Sequence, residues 1–110
     1  MTEENNAQEA MMELQQVQSQ LQQVNMQKEE TLTELDGIDK SLEELGKSDK
    51  GDVYKSVGNI LVSRDREQLE DELEEKKEDL EVRKQSLEKK EEQLQEKFKE
   101  LRDRFSGLQG

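Results

Sequence analysis

The chain contains no cysteine, no histidine and no proline, and each absence closes a class of explanation. Without cysteine there is no disulfide framework, no thiolate metal site and no thiol nucleophile, which fits a cytoplasmic address. Without histidine the commonest general base and metal ligand is gone. Without proline no helix has to break, and disordered linkers are usually richer in it. Apolar residues are also scarce, at 28% of 110 residues against 42% charged, where ordinary domains have near half and about a quarter. A globular core cannot be built from that, so the composition leaves disorder or a long helix whose narrow apolar seam is covered by a partner. No apolar run is longer than Ile60 to Val62, far short of the roughly 20 residues a membrane span needs. The acidic, polar start Met1-Thr2-Glu3-Glu4-Asn5-Asn6 is unlike a signal peptide. The expectation is a soluble intracellular protein.

The formal net charge is −12, which repels nucleic acid and anionic membrane at long range and weighs against a basic-zipper reading. Two origins of that acidity stay open, a salt-loving host and a solvated helix surface.

What is present is periodicity. From Ala7 to Leu45 a seam of alternating three- and four-residue steps runs without a slip: Ala7, Ala10, Leu14, Val17, Leu21, Val24, Lys28, Thr31, Leu35, Ile38, Leu42, Leu45. Ten of the twelve are apolar, the a/d pattern of a coiled coil over more than five heptads. The capping rules predict a first helix over about 6–46, with Asn6 as cap, Glu9 three residues on, and Gly46 as its left-handed end. Gly37 lies inside at a cost of about 1 kcal/mol, read as a tolerated weak spot with a hinge as the alternative.

A second periodic segment opens at Asp65, a good N-cap with Gln68 three residues later, and is predicted to run over 65–107, stopping at Gly107. Leu73, Leu80, Leu87, Leu94, Leu101 and Leu108 recur every seven residues. The positions three residues after them, Lys76, Arg83, Lys90, Lys97 and Arg104, are basic, and are read as laying their methylenes over a thin seam in preference to binding anions. Leu69, Phe98 and Phe105 thicken the stripe.

Between the two helices lies a polar turn, Gly46 to Asp52, followed by Val53-Tyr54-Lys55-Ser56-Val57-Gly58-Asn59-Ile60-Leu61-Val62-Ser63. β-Branched and aromatic residues around a Gly-Asn pair suit a tight β-hairpin over about 52–63, with a positive φ at the glycine. A Gly58-Asn59 turn pairs Val57 with Ile60, Lys55 with Val62 and Tyr54 with Ser63. Such a ribbon is marginal alone in water, so its apolar faces and open edges call for strands from other subunits. The expected fold is mainly α: two helices of about 60 Å each folded back antiparallel as a coiled-coil hairpin, with one small β-hairpin between them, in a single domain over 1–110. Folding back sets Leu45 near Leu69, and Ala10, Met11 and Leu14 near Phe98, Leu101 and Phe105.

The stretch Val53 to Val62, read as Val-Tyr-Lys-x-Val-Gly-x-x-Leu-Val, resembles the hairpin signature of β-type subunits of the chaperone prefoldin, and the two arms around it extend the resemblance over almost the whole chain. It implies a hexamer of two α-type and four β-type chains whose hairpins close a double β-barrel. It implies capture of non-native proteins at the coiled-coil tips without ATP or any cofactor, and delivery to a group II chaperonin. Carried over by residue, assembly falls to Val53, Tyr54, Val57, Gly58, Ile60, Leu61 and Val62. Client contact falls to Met11, Met12, Leu14, Phe98, Leu101, Phe105 and Leu108, and Phe98 and Phe105 can equally be plain seam residues. The polar start and the acidic surface depart from many relatives.

Catalysis finds no footing. The clusters Glu70-Asp71-Glu72 and Glu74-Glu75 lack the ligand spacing and turn glycine of a calcium loop and read as solvated faces with ion pairs at i, i+4. No phosphate-cradling loop, serine elbow or paired-acid pocket can be assembled, so no catalytic residue, metal site or nucleic-acid or membrane partner is assigned. The rival to a chaperone is a coiled-coil scaffold or adaptor, and the ribbon at Val53 to Val62 discriminates, because a scaffold needs only a loop there.

Overall fold

The computed structural model describes residues 2–47 and 51–109. Helix α1 is Thr2–Lys47, strands β1 and β2 are Val53–Val57 and Ile60–Arg64, and helix α2 is Arg66–Gln109. The fold is the expected antiparallel pair of long helices with a two-stranded hairpin between them. No helix among the described residues is long and apolar enough to cross a membrane.

All twelve seam positions of α1 are buried or half-buried, and Glu13 is the one other residue with a described side chain in that helix that is not exposed. Steps of three and four residues keep one stripe on the partner as a 3.6-residue helix turns. Burying a leucine or valine there contributes roughly 1.5–3 kcal/mol before its entropy cost.

The chain forms two compact units. In the first, Met1–Glu30 with Lys84–Gly110, the core is Val17, Val24, Leu87, Leu94 and Leu101, with Leu14, Leu21 and Phe98 packed against it. Lys28 and Glu91 stand within the seam as an ion pair at 3.5 Å, their side chains only 27% and 20% exposed. In the second, Thr31–Arg83, Leu35, Ile38 and Leu80 form the core with Leu42 and Leu73 against them. There Lys77 reaches across to Asp39 at 2.9 Å, and Asp39 raises the Lys77 ammonium above its ordinary range.

Four sequence expectations need correction. Asn6 does not cap α1, which starts at Thr2; with no glycine or proline ahead of Asn6, nothing stops the helix from extending. Gly46 does not end α1 in a left-handed conformation, since among the described residues only Gly51 and Gly58 have positive φ and the helix runs on to Lys47. Gly107 likewise does not end α2, which continues to Gln109 with Leu108 half-buried. Finally, the half-buried row that thickens the seam is not at Lys76, Arg83, Lys90, Lys97 and Arg104, all of which are exposed. The partly buried row lies one residue further on, at Lys77, Lys84, Glu91, Phe98 and Phe105. The sequence-predicted polar turn includes 48–50, which lie outside the described residues. Gly37 is inside an unbroken helix, and its carbonyl accepts a hydrogen bond from Ser41 Oγ at 2.9 Å.

Candidate assembly hairpin and apolar helix end

The hairpin has the register expected of it: Val57 opposes Ile60, Ser56 opposes Leu61, Lys55 opposes Val62, Tyr54 opposes Ser63 and Val53 opposes Arg64. Gly58 has φ of 59° and Asn59 is not positive, the φ pattern of a type II′ turn, whose twist matches that of the strands. Because side chains alternate across a strand, Val53, Lys55, Val57, Ile60, Val62 and Arg64 share one face. Tyr54, Ser56, Leu61 and Ser63 share the other.

Two cations on the first face fasten the hairpin to the start of α2. Arg64 pairs with Glu72, and Lys55 Nζ lies 3.5 Å from the same carboxylate. The Arg64 hydrogen bond holds the Glu72 carboxyl below the usual carboxylate range, Lys55 adds to the effect, and partial desolvation opposes it. Arg66, the first residue of α2, donates from Nη1 to the Leu45 carbonyl at 2.9 Å and from Nη2 to the Gly51 carbonyl at 3.4 Å. It thereby satisfies one of the carbonyls that the end of α1 leaves without a helical partner. At the other side of the junction Asp65 caps α2 as predicted, its Oδ2 accepting from the Gln68 N–H at 3.2 Å. Leu45 and Leu69, predicted neighbours, line a cleft of about 690 Å³ together with Val53, Tyr54 and Leu73.

The apolar side chains of the hairpin have no cover. Tyr54, Val57, Ile60, Leu61 and Val62 make up half of the ten large hydrophobics exposed among the described residues, with Ile60 at 63% and Leu61 at 71%. Val53 is half-buried and Gly58 exposed. Both faces carry apolar groups, and each strand keeps one edge without a ladder partner. Such a concentration of exposed apolar surface marks a site of interaction with another chain.

The second predicted group sits in the unit that carries both helix ends. Met11 and Met12 are exposed, Met12 at 69%. Leu14 and Phe98 are half-buried against the core, Phe105 and Leu108 are half-buried, and Leu101 is buried within the core itself. The structure thus sets Leu14, Phe98 and Leu101 along one core, and of the predicted group leaves Met11 and Met12 open to solvent.

No curated protein sequence matches the chain. Residues 8–110 match the family described as Prefoldin subunit. The chain belongs to that family. A solved structure, the crystal structure of the prefoldin beta subunit from Thermococcus strain KS-1, is similar with a TM-score of 0.83 and 39% identity, over 94% of this chain and 93% of that one. This prefoldin subunit is therefore part of a chaperone family and not of an enzyme family, and it assembles with other prefoldin subunits. The exposed apolar hairpin is what such a subunit would need.

Sequence reasoning missed Arg66, Glu72, Lys77 and Glu91. For Glu72 no local signal exists, since it is one carboxylate in an acidic run. For Lys77, Lys84 and Glu91 the signal was present: they precede Phe98 and Phe105 at seven-residue intervals, a heptad row hidden by its charge.

Proposed function

We propose that this prefoldin subunit captures non-native proteins without ATP and passes them to a group II chaperonin, working in the cytoplasm within a hexamer of two α-type and four β-type chains. The observation that carries the reading is the likeness to a prefoldin beta subunit along 94% of the chain. Assembly falls to Val53, Tyr54, Val57, Gly58, Ile60, Leu61 and Val62, whose exposed side chains would be buried by strands of neighbouring subunits. Client contact falls to the unit with both helix ends, where Met11 and Met12 are exposed and Leu14, Phe98, Phe105 and Leu108 are half-buried. Leu101 contributes as the buried support of that patch. Methionine suits the task because its flexible, polarizable side chain adapts to varied apolar surfaces. Weak patches repeated on several arms hold an unfolded chain through avidity, with no single tight site.

The test is to remove residues 1–12 together with those after Leu94, co-express the product with an α-type subunit, and compare it with the intact assembly in suppressing aggregation of a denatured protein. Native mass spectrometry should still find the hexamer, and protection should be lost. A trimmed hexamer that protects as well as the intact one would move client contact elsewhere and favour a scaffold role for the arms.

A further inference from the structure

Charge is unevenly distributed in the first compact unit. On α1, residues 14–27 carry no charged side chain at all and include seven glutamines, in a chain that is 42% charged. On α2, residues 97–105 carry four cations, Lys97, Lys99, Arg102 and Arg104, against two carboxylates, Glu100 and Asp103. These helices meet here: Leu14, Val17, Leu21 and Val24 share a core with Phe98 and Leu101. The uncharged stretch of α1 therefore offers no carboxylate across the seam to those cations. All four are exposed, and no ion pair among the described residues includes them. Elsewhere the half-buried seam cations all have a carboxylate partner, Lys28 and Lys77 across the helices and Lys84 at Glu88 on its own helix.

We propose that residues 97–105 form an interaction surface for segments of non-native polypeptide that combine acidic and apolar side chains, so that client capture is charge-selective. The proposal rests on the capture reading above and names the class of segment that this end of the chain prefers. Arg102 lies four residues after Phe98 and three before Phe105, which puts it between them on one helix face. An incoming segment can thus lay an apolar side chain against the phenylalanines and a carboxylate against the guanidinium. Lys97 and Arg104, seven residues apart, repeat the charge along a neighbouring line. The net charge of −12 pulls the other way at long range, but exposed charges more than about 8 Å apart are largely screened at physiological salt. Contact selectivity is then set by the local cations.

The experiment measures fluorescence anisotropy of the assembly formed by the full chain with a co-expressed α-type subunit, using three labelled, unstructured peptides that share the same apolar residues and differ only in carrying surplus Glu, no charge or surplus Lys. The acidic peptide should bind about fivefold to tenfold more tightly than the basic one, a difference a few exposed pairs supply, and raising salt should shrink the gap. Replacing all four cations, Lys97→Glu, Lys99→Glu, Arg102→Glu and Arg104→Glu, should invert the ranking. Equal binding of the three peptides, or tightest binding of the basic one, overturns charge selectivity and leaves capture standing. Failure of all three to bind overturns both. Tighter binding of an inorganic polyphosphate or an anionic vesicle than of the acidic peptide would mark a general polyanion surface and also overturn the proposal.

Discussion

Glu72 shows how one residue can tie two kinds of structure together. It stands on a helix, yet the groups that lower its pKa, Arg64 first and Lys55 after, belong to the hairpin. A carboxyl whose folded pKa is lowered adds stability that is fully present above its unfolded value of about 4.3 and is lost as pH falls through the folded value. The hairpin should therefore loosen from α2 in acid before the helices melt. Hydrogen exchange of hairpin amides followed from neutral pH to pH 3 should show protection falling at the acid end, and Glu72→Gln should remove most of that pH dependence. Unchanged protection across the range would mean that the Glu72 pairs do not hold the hairpin. With no histidine or cysteine in the chain, no side chain of either type is there to confuse the reading near neutrality.

At the scale of elements, the hairpin is the part whose apolar surface exceeds what the chain itself can bury. Ile60→Lys or Val57→Asp should abolish co-assembly with an α-type subunit, while helical circular dichroism stays near that of the parent. A charge placed in a shared sheet would lose its hydration without finding a partner, at a cost of several kcal/mol. Normal assembly of either variant by native mass spectrometry would place the interface outside this face. The hairpin was also the most legible element in the sequence, because a two-residue Gly58-Asn59 turn leaves a single register. The α1 seam was equally legible, since twelve positions obey one phase. The α2 seam was only half so: leucines every seven residues set the period, but a companion row three or four residues away is equally compatible with it. Only Phe98 and Phe105, at the far end of the row, favour the phase of Lys77 over that of Lys76. Helix ends were misread for a related reason. Asn6, Gly46 and Gly107 could each have served as a cap, and helical backbone ran through all three. Among the proposed client residues the heptads already separated Leu101, in the leucine row and buried, from Met12, off the α1 seam and exposed.

At the scale of the whole molecule, the net charge of −12 works against folding through self-repulsion. The unit Thr31–Arg83 alone has 17 acidic against 9 basic residues, on helices with little core to offset their repulsion. Added salt screens that repulsion, so the melting temperature of the isolated chain should rise from low to moderate sodium chloride. A steady fall over that range would make the ion pairs, and not the surplus carboxylates, the dominant electrostatic contribution.

The Lys28–Glu91 pair has a consequence of another kind. A seam made wholly of leucine and valine tolerates slippage by seven residues, because each side chain lands where a like one stood. Here a slip one way sets Lys28 beside Lys84 and Glu91 beside Leu21, and a slip the other way sets Lys28 beside Phe98 and strands Glu91. A partly exposed ion pair adds little cohesion, but a polar pair in a seam removes the competing alignments. It acts as a key cut for one lock, so that every copy of the chain entering an assembly closes its helices at the same setting.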